Sequence, residues 1–210
     1  MTEVAAASDR ALQELHELLP GPLLRACRET RHPRGATLFR VGTKPRSMFY
    51  VADGEVVLER PGVQGASLIL QRTRRGFVSE ASLKSPRYHC DGVVVADSRI
   101  VQVPVAGILD ALATDPAFSN RWVSMLSREV QRLRLKCERL SMPRIRDRLL
   151  HMLQTEGTDG AWRAESGVKS LAAELGVTHE ALYRCIYALE RQGVIERGPA
   201  SLCLRVPPAG

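Results

Sequence analysis

Glu180 and Arg184 lie four residues apart in SGVKSLAAELGVTHEALYRCIYALERQGVI, residues 166–195. On a helix that spacing places both side chains on one face. A guanidinium there can donate two parallel hydrogen bonds to guanine O6 and N7, and a carboxylate can accept from cytosine N4. On an ordinary surface helix the same two residues would be an ion pair worth about 0.2–0.5 kcal/mol. The elements around them therefore decide the reading. Leu171, Ala172 and Leu175 mark a short amphipathic helix. Gly176 suits the left-handed residue that stops it, Val177 can plug the turn, and Thr178 can cap the next helix. Ala181, Leu182, Ile186 and Leu189 form the apolar stripe of that second helix. Two short helices joined by a tight glycine-containing turn are a helix-turn-helix, whose second helix enters the DNA major groove. Thr178, His179, Glu180, Tyr183 and Arg184 are the candidate DNA-facing residues. Lys169, Ser170 and Arg197 are candidate phosphate contacts, which position without specifying sequence. Gly193 to Pro199, followed by 201–206, predicts a two-stranded wing.

A second chemistry is suggested by His89 and Cys90. Imidazole and thiolate suit a soft metal or haem iron. Neighbours in a strand point to opposite faces, so the two cannot simply chelate one ion. Either would need remote partners such as His32, Met48 or Cys137. The alternative is that Cys90 is a small buried hydrophobe and His89 a hydrogen-bonded surface residue. The cysteines at 27, 90, 137, 185 and 203 are scattered and odd in number, with no CxxC pair. They make neither a disulfide framework nor an evident zinc or iron–sulfur site. The cofactor stays unknown at this point, with a soft metal or haem as the options.

Several elements must position these groups. Residues 8–30 read as one or two short helices, broken at Pro20-Gly21-Pro22. From about 32 to 104 short apolar runs alternate with glycines: 48–52, 55–59, 67–71, 92–96 and 100–103. That texture predicts a β-barrel or jelly roll. A helix starts at Asp115-Pro116 and runs to about Ser141. Within it Val123, Leu126, Val130, Leu133, Cys137 and Leu140 follow a heptad seam. In a parallel dimer Glu129 would stand beside the partner's Arg134, and Cys137 would face its own copy, where a thiol pair could bind a metal or oxidise. Trp122, Met125 and Leu135 lie off the seam and are expected on the chain's own barrel. A further helix covers 144–156 and ends at 157–160.

The formal net charge of +7 over 210 residues suits a polyanionic partner. No apolar run reaches the ~20 residues that cross a bilayer, so no membrane role is expected. The N-terminus lacks a signal-peptide pattern, and a cytoplasmic location is expected. No G-x-S-x-G, H-E-x-x-H, P-loop or Rossmann fingerprint occurs, and only His32 and His89 lie in the barrel, so the reading is not an enzyme.

The order of barrel, long helix and winged helix-turn-helix resembles the cyclic-AMP receptor protein/FNR (CRP/FNR) family of bacterial regulators over about residues 30–206. The resemblance rests on HPRGATLFRVGTKPRSMFYVADGEVVL (32–58), RRGFVSEASL (74–83) and LAAELGVTHEALYRCIYALERQGVI (171–195). It implies base reading by Glu180 and Arg184 at a palindrome with TGA/TCA cores, and RNA polymerase as a partner. His179 stands where the cyclic-AMP branch has Arg. It also places an effector site at Glu80, Arg87, His89 and Cys90, completed by Leu133 and Arg134 on the long helix. There the sequence departs from the family. Ser79 replaces the glycine of Gly-Glu-Leu, Tyr88-His89 follows Arg87 where a hydroxyl residue is usual, and Leu133 and Arg134 replace adenine-contacting hydroxyls. These departures argue against cyclic AMP as the signal. The expected fold class is α+β: an N-terminal double-stranded β-helix (jelly-roll) sensor domain over 1–115, a dimerisation coiled-coil helix over 116–142, and a winged helix-turn-helix over 143–210. The expected protein is a homodimer on double-stranded DNA, controlled through the barrel and dimer helix by a metal, thiol redox change or haem-bound gas. The alternatives are cyclic-nucleotide control or constitutive binding.

Overall fold

The computed structural model describes residues 2–61, 67–157, 161–163, 167–198 and 201–205. The chain divides into two compact units, 1–124 and 125–210.

The first unit begins with helices α1 (Thr2–Leu18) and α2 (Gly21–Arg25). An antiparallel sheet follows: β1 (Arg28–His32), β2 (Thr37–Phe39), β3 (Ser47–Pro61), β4 (Ser67–Thr73), β5 (Gly76–Val78) and β6 (Asp91–Pro104). Its order is β1-β6-β3-β4, with β2 on β6 and β5 on β3. Residues 28–30, expected in the N-terminal helices, are strand: the polar run RETRH pairs with β6 from Arg28–Gln102 to His32–Ser98. The runs 48–52 and 55–59, expected as separate strands, are one strand, and so are 92–96 and 100–103. Gly54 is a bulge and not a turn. At φ +91 a Cβ there would sit 2.4 Å from the Asp97 carbonyl oxygen. The backbone N–H of Glu55 instead donates to Ser98 Oγ at 3.0 Å, keeping the two long strands paired through the irregularity.

Both faces of β3 are buried at residues 48–52, which explains an unbroken apolar run where alternation would be normal. Phe49 and Val51 enter a core with Phe39, Val56, Leu58, Val78, Tyr88, Cys90, Val94 and Ile100. On the opposite face the Tyr50 hydroxyl donates to the Ala11 carbonyl at 2.9 Å, and its ring meets Phe77 edge-on. After β6 come α3 (Val105–Thr114) and α4 (Pro116–Ser141). Asp115 starts α4 as expected, its carboxylate accepting from Phe118 N at 2.9 Å. Trp122 is buried against Phe77 and Phe118, so this off-seam residue does pack on its own sheet.

The second unit holds the rest of α4, then α5 (Ile145–Glu156), β7 (Ala161–Arg163), α6 (Gly167–Glu174), α7 (His179–Arg191), β8 (Ile195–Arg197) and β9 (Ser201–Leu204). The three strands pair in the order β7-β9-β8. The wing expectation named two of them. The third, β7, pairs Trp162 with Leu202 and carries too short an alternation to stand out in sequence. Pro199, Ala200 and Val206 of the expected wing, and 158–160 of the expected helix stop, lie outside the described residues.

Candidate nucleic-acid interface

Helices α6 and α7 meet through a turn that their sequence dictates. Val177 N donates to Ala172 O at 3.0 Å across Gly176, which sits at φ +65. This six-to-one bond with a left-handed glycine is the Schellman ending of a helix. Thr178 is extended, at φ −74 and ψ 152, and its hydroxyl accepts from Ala181 N at 3.2 Å, capping α7. Leu171, Ala172, Leu175, Leu182, Ile186 and Leu189 are buried, packed on Leu149, Met152 and Leu153 of α5 and on Ile195 and Leu202 of the strands.

With the apolar stripe inward, the polar face of α7 is left outward. Glu180 and Arg184 are both exposed. Glu180 lies at the helix N-terminus, where its own backbone N–H and then the Thr178 hydroxyl bond its carboxylate. These bonds hold it below the ordinary carboxylate range, with His179 and Arg184 adding smaller attractions through space. The surface ion pair that the spacing allowed is not made, and both side chains point toward solvent. Tyr183 is engaged differently. Arg197 of β8 donates from Nη2 to its hydroxyl at 2.8 Å and stacks over its ring with 4.9 Å to the centroid. The His179 ring meets the same tyrosine edge-on at 4.9 Å. Tyr187 is 63% exposed, with Arg191 above it. Lys169 and Ser170 fall within α6, and their side chains lie outside the described ones.

Sequence reasoning missed two arginines beneath this face. Arg148 of α5 donates from Nε to the Met142 carbonyl at 2.7 Å and from Nη1 to the Leu175 carbonyl at 2.9 Å. One side chain therefore ties the end of α4 to the end of α6. Arg139, on α4, is buried and paired with Glu156 of α5. Neither has a local sequence signal, since each partner is defined only by the fold.

Along α4 the expected seam is open in this single chain. Val123, Val130, Leu133, Cys137 and Leu140 are exposed, with Leu126 half-buried. Arg134 is exposed beside them. Glu129, expected to face the partner's Arg134, is already held by Arg132 one turn on, at 2.6 and 2.9 Å. A residue three positions away reaches it without any partner.

Within the first unit, Arg87 and His89 are exposed while Cys90 is buried. After β5 the chain enters a one-turn helix, Glu80–Ser82, through Ser79 at φ +75. Ser79 is buried and its hydroxyl has no hydrogen-bond partner. His89 is exposed, with Nδ1 3.1 Å from Ser82 Oγ. Arg87 is exposed and donates to the Gly42 carbonyl at 2.7 Å. Between them Tyr88 turns inward, stacked on Phe39 at 4.2 Å with its hydroxyl donating to the Ser47 carbonyl at 2.6 Å. Cys90 is buried in the same apolar core, and burial pushes its thiol up despite Arg60 nearby. His89 and Cys90 thus face opposite ways, and Cys90 as a metal thiolate is disfavoured by its surroundings. Among the described residues no three His, Cys, Asp or Glu side chains gather to hold a metal. A cyclic nucleotide brings a phosphodiester anion that calls for an inward cation or a set of N–H donors. The inward position here is Tyr88, and Arg87 beside it is exposed.

No helix among the described residues is long and apolar enough to cross a membrane. Residues 29–115 match the cyclic nucleotide-binding domain family. The chain is 24% identical to the cyclic AMP receptor protein of Thermus thermophilus over 179 residues, covering 83% of this chain and 82% of that one. Its fold is similar to that of a CooA variant from Carboxydothermus hydrogenoformans, with TM-score 0.65, 20% identity, and 89% and 87% of the two chains covered. It is also similar to a CRP-family transcriptional regulator from Thermus thermophilus, with TM-score 0.53, 18% identity, and 83% and 91% covered. Residues 29–115 are thus similar to the cyclic nucleotide-binding domain, and the chain as a whole shares its fold with regulators that carry one.

Proposed function

We propose that the protein is a homodimeric, sequence-specific DNA-binding transcription regulator that reads a palindrome with TGA/TCA cores. The observation that carries this is that Glu180 and Arg184 are both exposed on the first turns of a capped α7. In a winged helix-turn-helix this is the stretch of helix that meets base edges. Arg184 bonds a guanine in the major groove, and Glu180, held ionised by the helix N-terminus, accepts from a cytosine N4. Thr178 and His179 border the same face, and Lys169, Ser170 and Arg197 supply phosphate contacts.

Two copies join along the open seam of α4. Its large apolar side chains, from Val123 to Leu140, follow the heptad rule and are exposed in one chain. The dimer sets two recognition helices about 34 Å apart, one turn of DNA. The signal is something other than cyclic AMP, a reading supported by the inward Tyr88 and by Arg87 donating to the Gly42 carbonyl. RNA polymerase is the expected onward partner by family resemblance.

Selection from a random duplex pool tests the reading. The expected result is an enriched palindrome whose half-sites contain TGA. A pool that stays unenriched while the protein remains folded and dimeric overturns it.

A further inference from the structure

Besides the apolar core, a polar side-chain pair, Arg197 and Tyr183, joins β8 to α7. Arg197 lies on β8, a strand that pairs only with β9 among the described strands, so its position is not fixed by a second neighbour. It reaches Tyr183 twice: one N–H on the hydroxyl at 2.8 Å, and the guanidinium over the ring at 4.9 Å. His179 closes on the ring from its edge at 4.9 Å. Tyr183 was grouped by position with the base-reading residues Glu180 and Arg184. Its contacts differ from theirs, since one ring face and one lone pair are already taken.

We infer that Tyr183 is a positioning residue, which holds Arg197 against α7 as a preset phosphate clamp and does not itself read a base. The inference rests on the DNA-binding reading above. The chemistry is as follows. A guanidinium has five N–H donors, and the tyrosine takes one, leaving donors for a phosphate oxygen. The tyrosine hydroxyl accepts from Arg197, so its own proton is free to be donated to the same anion. An arginine already stacked on an aromatic ring gives up less rotamer freedom on binding than one that swings free.

The test is the salt dependence of binding to the selected palindrome. Each phosphate contact contributes about 0.9 to the slope of log K against log salt. Arg197→Ala, acting in both protomers, should lower the slope by about 1.8. Tyr183→Ala should lower it nearly as much while leaving the ranking of half-site base variants intact. Tyr183→Phe, which keeps the ring and loses the acceptor, should fall between. The double variant Tyr183→Ala/Arg197→Ala should lose no more than Arg197→Ala alone. Melting curves of each variant check folding, and the phenylalanine variant carries the test if the alanine variant melts early. A wild-type chain that binds no duplex sinks the DNA reading itself. Wild-type binding with an unchanged slope in Tyr183→Ala, or with an altered base ranking, overturns the positioning role alone.

Discussion

Two left-handed turns in this chain lead into one short helix and one long one, and they use their side chains in opposite ways. Gly176 at φ +65 opens α7, and the residues after it present Glu180 and Arg184 to solvent. Ser79 at φ +75 opens the single turn Glu80–Ser82, and the residues that follow are consumed by folding. Tyr88 and Cys90 fill the core, and Arg87 caps a carbonyl of its own chain. Where polar groups are exposed, they are open to a partner. Where they are spent on the protein's own backbone and core, they hold the fold instead.

The largest effect should come from the inward side of that contrast. Tyr88→Ala removes a buried ring stacked on Phe39 and a hydrogen bond to Ser47. Truncating a buried aromatic costs about 3–5 kcal/mol, so chemical denaturation should show the first unit unfolding much earlier. If stability is kept and the variant instead gains affinity for a nucleotide, Tyr88 is a plug in a latent pocket and the contrast weakens.

Arg184→Ala probes the outward side. Its side chain makes no contact that holds the fold, so thermal stability should shift by less than about 0.5 kcal/mol. Discrimination at the guanine of each half-site should drop by about 1–3 kcal/mol, read by competition between the palindrome and single-base variants. A large fall in melting temperature with base preference unchanged would show that Arg184 is structural.

The two sides were not equally legible in sequence. The turn into α7 is written locally: a glycine, a threonine two residues on, and apolar residues at helical spacing on both sides. Nothing from elsewhere in the chain is needed to read it. Strand β3 reads as two runs because Gly54 looks like a turn residue, and β6 because polar Asp97-Ser98-Arg99 interrupts its apolar residues; only the pairing across Asp97 and Ser98 makes Gly54 a bulge. Arg87 and Tyr88 precede β6 and lie in no strand, so which of the pair faces the core depends on where Phe39 arrives. Arg148 could not be found at all, since its second partner, Leu175, is 27 residues away and offers only a carbonyl. The output side repeats at short range, whereas the input side is decided by long-range pairing.

The glycine in the first turn can be tested by removing it. Gly176→Ala forces a Cβ into left-handed backbone, 3.2 Å from Leu140 Cδ2. The backbone term is about 1–2 kcal/mol, offset by about 0.4–1 kcal/mol from a stiffer unfolded chain. A net loss near 1 kcal/mol is expected in the second unit, with weaker DNA binding at fixed temperature because α7 loses its fixed entry. An unchanged melting temperature would mean that the turn relaxes out of the left-handed region.

For the reverse substitution at the other turn, the sign is the informative part. Ser79 carries a Cβ in left-handed backbone and buries a hydroxyl that has no partner. Relieving the strain is worth up to about 1–2 kcal/mol, and removing a buried unpaired hydroxyl about 1–3 kcal/mol. Glycine returns about 0.5–1 kcal/mol of that through the entropy of the unfolded chain. Ser79→Gly should therefore stabilise the protein, by about 1 kcal/mol or more, which is about 2–4 °C in melting temperature for a chain of this length. A residue that costs stability where glycine would not is held in place by something other than folding. If Ser79→Gly instead melts lower, the hydroxyl has a partner that contributes to the fold, and the turn is structural on both counts. If it melts higher, the serine marks a point on the inward side where a polar group is still unspent, and the search for a bound signal begins there.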